Sequence, residues 1–378
     1  MRAVLLFLLV GFLGHLMVSP GTAQTFQGLV DPDPSRATQR LYNNLSEQSG
    51  EAILFGHHDA LAYGTTWRGE PGRSDVFEAI GSYPAVYGWD VARLFDREGA
   101  SNPKAQQELR RWIREGASRG GMIVFAWHMQ NPVTMENFYD TTRAVHTIIP
   151  GGERHEQYKA QLDIVASFFQ SLRMGPLAAW GIGPRIPVVF RPFHEHTGSW
   201  FWWGERHATK ADFIALWQFT VEYLRDVKGL DNVIYSYSTD VFDTKEAYLD
   251  RYPGDAFIDV LGYDDYHSVV TTATQATFVN RLHLLVDMAE ARRKIAALTE
   301  TGVETIPNAT WWTQTLLPAL DYDDKTRKIA WVMVWRNAVD RANHYYAPYP
   351  GHPSVPDFRA FRDHPLIYFE EELPDLYR

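Results

Sequence analysis

Two glutamates, each placed directly after a short apolar run, carry the clearest chemical signal in this chain. Glu195 lies in the segment RPFHEHTGSWFWWG, residues 191–204, where three tryptophans follow it. Glu300 ends the later run IAALTE, residues 295–300. Cleavage of a glycosidic bond uses two carboxyl groups, one that protonates the leaving oxygen and one that attacks the sugar or activates water. Together with flat indoles that can stack on sugar rings, this pair predicts a carbohydrate-cleaving site.

The elements that must position these glutamates are predicted from eight short apolar runs. The runs cover residues 52–55, 84–89, 121–127, 187–190, 232–237, 257–262, 295–298 and 330–335. Helical patterns lie between several of them, most clearly over 209–228 and 274–292. Apolar strands that alternate with helices predict an α/β fold, the (β/α)8 TIM barrel. A doubly wound open sheet is the alternative, but no glycine-rich phosphate loop follows the first run to favour it.

Polar and aromatic side chains follow most of these runs. A TIM barrel builds its active face from the carboxyl ends of its strands, so we expect these side chains to line one groove. They are His57, His58 and Asp59, then Asp90, His128, His194, Glu195, Asp264, Asp265, Tyr266 and His267, and finally Glu300, Trp335 and Arg336. Any single one of these residues could be polar because loops are exposed to solvent, whereas the presence of the whole set of residues favours a functional site.

Opposed barrel strands could hold the two carboxyl groups ~5–5.5 Å apart, the separation used by retaining glycosidases. Glu195 would then need a raised pKa, which apolar neighbours and the charge of Glu300 favour. Glu300 would need a donor such as Tyr266 or Arg191 to stay ionised. The purely structural alternatives are an ion pair between Glu195 and Arg191 and a helix cap at Glu300.

The first residues and the overall composition predict an exported protein. Residues 1–23 have the pattern of a secretory signal peptide, and residues 24–378 then form one catalytic domain in a secreted or periplasmic product. No other run approaches the ~20 apolar residues of a membrane span. The absence of cysteine excludes disulfides, and a formal net charge of −10 disfavours nucleic acid. We therefore expect no membrane or nucleic-acid partner, a monomer, and neither a cofactor nor a metal.

Segment 191–204, the later Glu300-Thr301-Gly302 and the terminal PYPGH at 348–352 resemble glycoside hydrolase family 26, whose members are mostly β-1,4-mannanases. The resemblance extends over nearly all of residues 24–378. It implies a (β/α)8 barrel that cleaves mannan, glucomannan and galactomannan by double displacement. Glu195 would be the general acid/base and Glu300 the nucleophile. Substrate-binding roles are implied for His128, His194, Trp200, Asp264, Tyr266, Trp335 and Arg336.

The resemblance also implies finer roles within this set. Tyr266 is expected to hydrogen-bond the nucleophile, and Trp335 to stack on the sugar whose bond is broken. Lichenases and 1,3-xylanases of the family share the catalytic pair, so mixed-linkage β-glucan or 1,3-xylan remains an alternative substrate. Internal cleavage and release of disaccharides from a chain end, as by a mannobiohydrolase, also remain open, because loops at the groove ends decide between them.

Two other classes of function compete with this interpretation. The histidines and the aspartate near strand ends, His57, His58, Asp59, His128 and His194, suggest a metal-dependent barrel hydrolase. Adjacent residues of a strand point to opposite faces, however, and His194 lacks a second histidine at the spacing of the zinc helix motif. A noncatalytic carbohydrate-binding module would explain the aromatic residues but would need neither eight strand–helix units nor two strand-terminal glutamates.

The tryptophans are expected to divide between groove and core. Neighbouring side chains of an extended segment alternate, so Trp200 is predicted to face the groove and at least one of Trp202 and Trp203 to lie in the core. Trp217 lies on a helical stripe and is predicted to be buried. The pair at 311–312 fits a groove extension and a barrel cover equally well.

Overall fold

A closed barrel of parallel strands forms the body of the protein. The computed structural model describes residues 28–377, so the predicted signal peptide lies outside the described residues. The strands are β1 (Ile53–His58), β2 (Val86–Asp90), β3 (Met122–Trp127), β4 (Val188–Pro192), β5 (Val233–Thr239), β6 (Val260–Asp265), β7 (Ile295–Thr301), β8 (Ile329–Val334) and the short β9 (Ile367–Tyr368). Strands β1 to β8 pair in parallel in chain order, and β1 also pairs with β8, which closes the ring. The predicted TIM barrel is confirmed.

The strands match the eight apolar runs because both of their faces are buried. All residues of β1, β3, β5, β6, β7 and β8 are buried. Side chains on one face, such as Leu54 and Val124, fill the barrel, while those on the other, such as Phe55 and Phe125, pack beneath the surrounding helices. A strand covered on both sides is apolar throughout, which is why the runs mark these strands so directly.

Helices surround the barrel and fill the intervals between strands. They are α1 (Arg36–Glu47), α2 (Asp75–Ile80), α3 (Pro103–Ser118), α4 (Val145–Ile148), α5 (His155–Ser171), α6 (Lys210–Glu222), α7 (Lys245–Leu249), α8 (Gln275–Arg292), α9 (Leu317–Leu320) and α10 (Val355–Arg362). Thr209 caps α6 by accepting from the Asp212 backbone N–H, and a π-helical turn (Tyr223–Val227) extends it, so both predicted helices are confirmed. Within residues 28–377, no helix combines the length and apolarity that crossing a membrane requires.

The amino-terminal end of the barrel is closed by α1. Its residues Leu41, Tyr42 and Leu45 pack in the same apolar cluster as Leu54 and Trp331 from inside the barrel. The carboxyl ends of the strands are not covered in this way, so a groove remains at that end.

Trp311 and Trp312, which the sequence left between groove and core, belong to the core. The indole N–H of Trp311 donates to the Val269 carbonyl at 2.6 Å, and Trp312 packs against Phe358 at a ring distance of 4.4 Å. Both are buried beneath α10 and the β6 loop.

Candidate active site

The two glutamates meet at the carboxyl end of the barrel. Glu300 lies within β7, and Glu195 follows β4 in a turn where both Phe193 and Glu195 have a φ of 52°. Such left-handed conformations cost ~1–3 kcal/mol for residues other than glycine. The Glu195 backbone N–H is held by the Ser238 carbonyl at 3.1 Å. One carboxylate oxygen from each of Glu195, Asp264 and Glu300 lies within 4.8 Å of the other two.

Glu300 is surrounded by donors. Arg191 contacts one carboxylate oxygen, and the Tyr266 hydroxyl donates to the other at 2.9 Å. His58 Nε2 lies 3.4 Å from the oxygen that Arg191 contacts. Burial by itself would raise the pKa of Glu300, but the Arg191 charge and the interaction with His58 outweigh burial and hold this pKa well below its usual range. Glu300 is therefore ionised at neutral pH, and neither helix capping nor exposure explains its position.

Glu195 has the opposite environment. Burial and the negative charges of Asp264 and Glu300 raise its pKa well above the usual range. The Trp200 indole N–H donates to Oε2 of Glu195 at 2.6 Å, which lowers the pKa but does not offset the other effects. Glu195 therefore carries a proton under conditions in which Glu300 does not. Arg191 pairs with Glu300 and Asp264, so the alternative of an ion pair between Arg191 and Glu195 is wrong.

Asp264 is buried below the groove, whereas a residue that binds substrate must be exposed to the groove. Its side chain is fully buried, and its carboxylate accepts from Arg191 at 2.7 Å, Thr299 at 2.7 Å and Ser238 at 3.2 Å. Burial raises the pKa of Asp264 to about 7, because the opposing Arg191 charge offsets burial only in part and Glu300 adds repulsion. The geometry corrects the expected sugar contact: Asp264 holds the guanidinium of Arg191, which in turn contacts Glu300.

His128, His194 and Trp335 form the wall beside the carboxyl pair. His128 Nδ1 lies 3.0 Å from Asp90 Oδ2, the His128 and His194 rings are 4.6 Å apart, and Trp335 packs on His58 at 4.5 Å. Burial and the Arg191 charge hold the pKa of His194 well below its usual range, so this ring is neutral. Its Nδ1 has no hydrogen-bond partner within the described part of the chain.

Glycines make room for two of these side chains. A Cβ at Gly88 would lie 2.6 Å from His58 Nδ1, and one at Gly198 would lie 2.4 Å from the Trp200 ring. Substituting either glycine would therefore displace a ring that contacts one of the glutamates.

The tryptophans after Glu195 divide as predicted, with both Trp202 and Trp203 in the core. Their indole N–H groups donate to the carbonyls of Met129 and His194, at 2.9 and 2.8 Å. Trp200 is only partly buried and lines the groove, and Trp217 is fully buried under β5. Trp203 thus supports the backbone that carries His194, and Trp202 supports that of Met129, the residue after His128.

The groove is a cavity of about 420 Å³ at the carboxyl end of the barrel. Seven predicted site residues line it: His128, His194, Glu195, Trp200, Tyr266, Glu300 and Trp335. Phe201, expected as an apolar neighbour of Glu195, also lines it, whereas sequence reasoning missed other lining residues, among them Tyr139, Glu304, Arg341, His344 and Tyr346. They come mainly from long loops after β3, β7 and β8. In such loops the sequence shows only that a residue follows a strand, and this does not tell whether its side chain points into the groove.

Arg336 lies beside this groove in a network with the β1 loop. Its guanidinium donates to the Tyr63 hydroxyl at 2.8 Å, and Tyr63 hydrogen-bonds Asp59. Asp59 also pairs with Arg93 at 3.0 Å. These contacts fix the orientation of the Arg336 guanidinium, and its contact with a sugar stays a prediction.

The histidines suggested as metal ligands do not converge. Among residues 28–377, the side chains close enough to share one ion are Glu195, Asp264 and Glu300, and none of the five residues proposed from sequence belongs to this group. The Arg191 guanidinium contacts two of these carboxylates, and its fixed positive charge opposes a cation there. A larger cavity of about 600 Å³ lies at the opposite end of the barrel between α1 and α8, without this pair of glutamates.

Comparison with known proteins gives one family. The model of glycosyl hydrolase family 26 matches residues 30–315. A mannan endo-1,4-beta-mannosidase of Bifidobacterium adolescentis is 32% identical over 88% of this chain, which spans 34% of that relative's length. A Bacillus subtilis relative of the same name is 26% identical, with 82% of this chain and 84% of the relative aligned. The solved structure of a family 26 beta-mannanase from Bacteroides ovatus is 40% identical, has a TM-score of 0.83, and covers 91% of this chain and 98% of its own.

Proposed function

Because the chain belongs to glycosyl hydrolase family 26, we propose that it is an endo-1,4-β-mannanase acting on mannan, glucomannan and galactomannan. The Bifidobacterium and Bacillus relatives described above are named mannan endo-1,4-beta-mannosidase. The observation that carries the proposal is the carboxyl pair, in which burial and neighbouring charges move the pKa of Glu195 up and that of Glu300 down. This is the division of protonation that a glycosidase needs.

In the first step, Glu300 attacks the anomeric carbon while Glu195 gives its proton to the glycosidic oxygen. The bond from carbon to that oxygen breaks, the alcohol end of the polymer leaves, and a glycosyl ester of Glu300 forms. Arg191 and Tyr266 keep Glu300 ionised and oriented for the attack. Trp335 stacks on the sugar whose bond is broken.

In the second step, Glu195 acts as a base. It takes a proton from water, the water oxygen attacks the anomeric carbon, and Glu300 leaves as a carboxylate. The two inversions together retain the β configuration. Carboxylate oxygens within 4.8 Å of each other support this route, because inverting enzymes separate their carboxyl groups by ~6.5–9.5 Å to admit water.

Recognition of mannose requires polar groups near its axial 2-hydroxyl. We assign this role to His128 and His194, whose rings line the groove beside the carboxyl pair. The His194 ring is neutral and lines the groove, so it is suited to exchanging a hydrogen bond with a hydroxyl. Trp200 supports Glu195 and forms part of the sugar platform.

Location and assembly belong to the same proposal. The signal-peptide pattern of residues 1–23 supports a secreted or periplasmic protein. We propose that this protein acts as a monomer on its polysaccharide, without a cofactor, membrane or nucleic-acid partner.

Azide rescue tests the catalytic assignment. Glu195→Ala and Glu300→Ala should each lower hydrolysis of an activated mannoside by ~10²-fold or more, with unchanged circular dichroism. Azide should restore turnover in both, giving a β-azide product with Glu195→Ala and an α-azide product with Glu300→Ala. Full activity in either variant would refute the assignment.

A panel of polymers tests the substrate. Reducing-sugar release should occur from konjac glucomannan and locust bean gum. Release from lichenan or 1,3-xylan without release from the mannans would show that the protein is a glycoside hydrolase but not a mannanase. Oligosaccharides of several lengths should appear early from an endo-acting enzyme, whereas disaccharide alone would indicate exo action.

A further inference from the structure

A loop between α5 and β4 presents the most exposed large apolar side chains of the described residues as a group. Trp180 is 74% exposed, and its neighbours Ile182 and Leu177 are 57% and 46% exposed. The loop lies at the amino-terminal end of the barrel, away from the catalytic groove. Tryptophan is costly to leave in water, so this exposed indole requires a reason.

The loop is held in a defined conformation. Arg173 and Arg185 pair as an antiparallel bridge at its base, and the Met174 N–H donates to the Pro184 carbonyl at 3.0 Å. The Arg114 side chain of α3 donates to the Ala178 carbonyl at 2.7 Å. Trp180 is therefore displayed on a fixed support.

A basic cleft lies directly beside this loop. It has a volume of about 550 Å³, and its lining includes Gln107, Arg110, Arg114, Gln170, Ser171 and Arg173. An adjoining cavity shares Gln107, Arg110 and Arg114 with it and adds Lys104, Arg111 and one acid, Glu108. Five cations thus face one carboxylate here, in a chain whose formal net charge is −10.

The arginines of the cleft have neutral partners. Arg110 donates to the Ser171 hydroxyl at 3.0 Å, and Arg173 donates to the Gly183 carbonyl at 3.4 Å. Among residues 28–377, neither these two nor Arg114 forms an ion pair, in contrast to other arginines such as Arg73 and Arg362. Burial lowers the pKa of Arg110, and the positive charge of Arg114 lowers it further, as expected where positive charge is uncompensated.

The shape and chemistry of the cleft fit an anionic polysaccharide. A sugar ring offers an apolar face for an indole, and uronate carboxylates match the bidentate geometry of guanidinium groups. The amides of Gln107 and Gln170 and the hydroxyl of Ser171 can bond to sugar hydroxyls. A concave cleft beside a single protruding indole accepts a chain, whereas a bilayer presents a flat surface.

We propose that Trp180 and the cleft formed by Arg110, Arg114 and Arg173 are a second carbohydrate site, which binds an acidic, uronate-containing polysaccharide. A carboxylate pairs with the arginines while a sugar ring stacks on Trp180. The site is remote from the catalytic groove and holds the enzyme on an acidic polymer without cleaving it.

Affinity electrophoresis in gels containing polygalacturonate tests this site. The wild-type protein should be retarded, and added salt should weaken the retardation because the pairing is ionic. Trp180→Ala and Arg110→Gln, which leaves the Arg114 hydrogen bond to the loop intact, should each raise the apparent Kd by roughly tenfold or more. Matched controls on another face are Tyr322→Ala, whose side chain is 60% exposed, and Arg327→Gln, whose side chain pairs with acids. Both should bind as wild type.

Parallel measurements make the outcome decisive. Thermal melts and hydrolysis of a soluble mannooligosaccharide should be unchanged in all four variants, which separates this proposal from the proposed catalytic function. The proposal is overturned if polygalacturonate does not retard the wild type or if the Trp180 variant is retarded equally. It is also overturned if Trp180-dependent binding occurs only to neutral galactomannan or only to phosphatidylglycerol vesicles.

Discussion

Replacing Arg191 with methionine should destabilise the protein in a pH-dependent way. Arg191 is fully buried and contacts both Asp264 and Glu300, which are themselves buried. Methionine keeps much of the volume but removes the charge and its donors. Removing one partner from a buried ion pair typically costs ~3–5 kcal/mol, because the remaining charge is uncompensated. We expect a loss of unfolding free energy of this order at pH 8.

The loss should shrink as the pH falls. In the wild type, the depressed pKa of Glu300 contributes stability above the unfolded pKa, and this contribution disappears as pH falls through the folded pKa. Without Arg191, burial and mutual repulsion should raise the pKa of Glu300 above its unfolded value and should raise further the pKa of Asp264, which is already about 7 in the wild type. The variant then gains stability, relative to the wild type, as protons bind to these groups.

Urea unfolding of both proteins from pH 8 to pH 5 measures this difference. The difference in unfolding free energy between the wild type and the variant should be largest at pH 8 and should narrow towards pH 5. In a separate kinetic measurement, the acidic side of the variant's pH–rate profile should move to higher pH, because the pKa of Glu300 rises. Arg327→Gln, which removes a partly exposed ion pair, is the control and should show little change. A gap that is constant or widens towards pH 5 would refute the idea that Arg191 compensates two buried carboxylates.

Three further results are expected. Tyr266→Phe removes a hydrogen bond to Glu300, so the pKa of Glu300 should rise and the acid limb of kcat should shift upward; an unchanged limb would contradict this. Trp217→Ala should lower the unfolding free energy by ~3–5 kcal/mol in a thermal or urea melt, whereas Trp200→Ala should lower kcat with a smaller loss of stability. A larger loss of stability in Trp200→Ala than in Trp217→Ala would show that the division into groove and core residues is wrong. Gly198→Val should displace the Trp200 ring and raise KM, and a variant with wild-type kinetics would show that the ring needs no such space.

The sequence by itself was sufficient for the barrel and for the two glutamates. A strand covered on both faces must be apolar along its whole length, so the run that ends at Glu300 is visible without any knowledge of its neighbours. The rule that barrel chemistry lies at the carboxyl ends of strands then brings Glu195 and Glu300 to the same end. Both inferences depend on local pattern and chain order, which the sequence contains directly.

Side-chain partners were decided only by the tertiary structure. Asp264 and Tyr266 are two positions apart, yet the former is buried against Arg191 and Thr299 while the latter lines the groove. Strand β6 ends at Asp265, so Tyr266 lies in the loop that follows it, and the direction of its side chain is set by that loop. The alternation rule applies within a strand and cannot give this direction.

The same limit applies to the loops and to the outer surface. Trp312 is buried because α10, from a distant part of the chain, packs over it, and Trp311 is held by the Val269 carbonyl in the loop after β6. The basic cleft exists because a loop before β4 meets α3, and the spacing of Arg110, Arg114 and Arg173 along the chain does not show that they share it. Burial along a strand follows a regular spacing and therefore leaves a pattern of apolar residues in the sequence. A contact between distant segments depends on the path of the chain between them and leaves no such pattern.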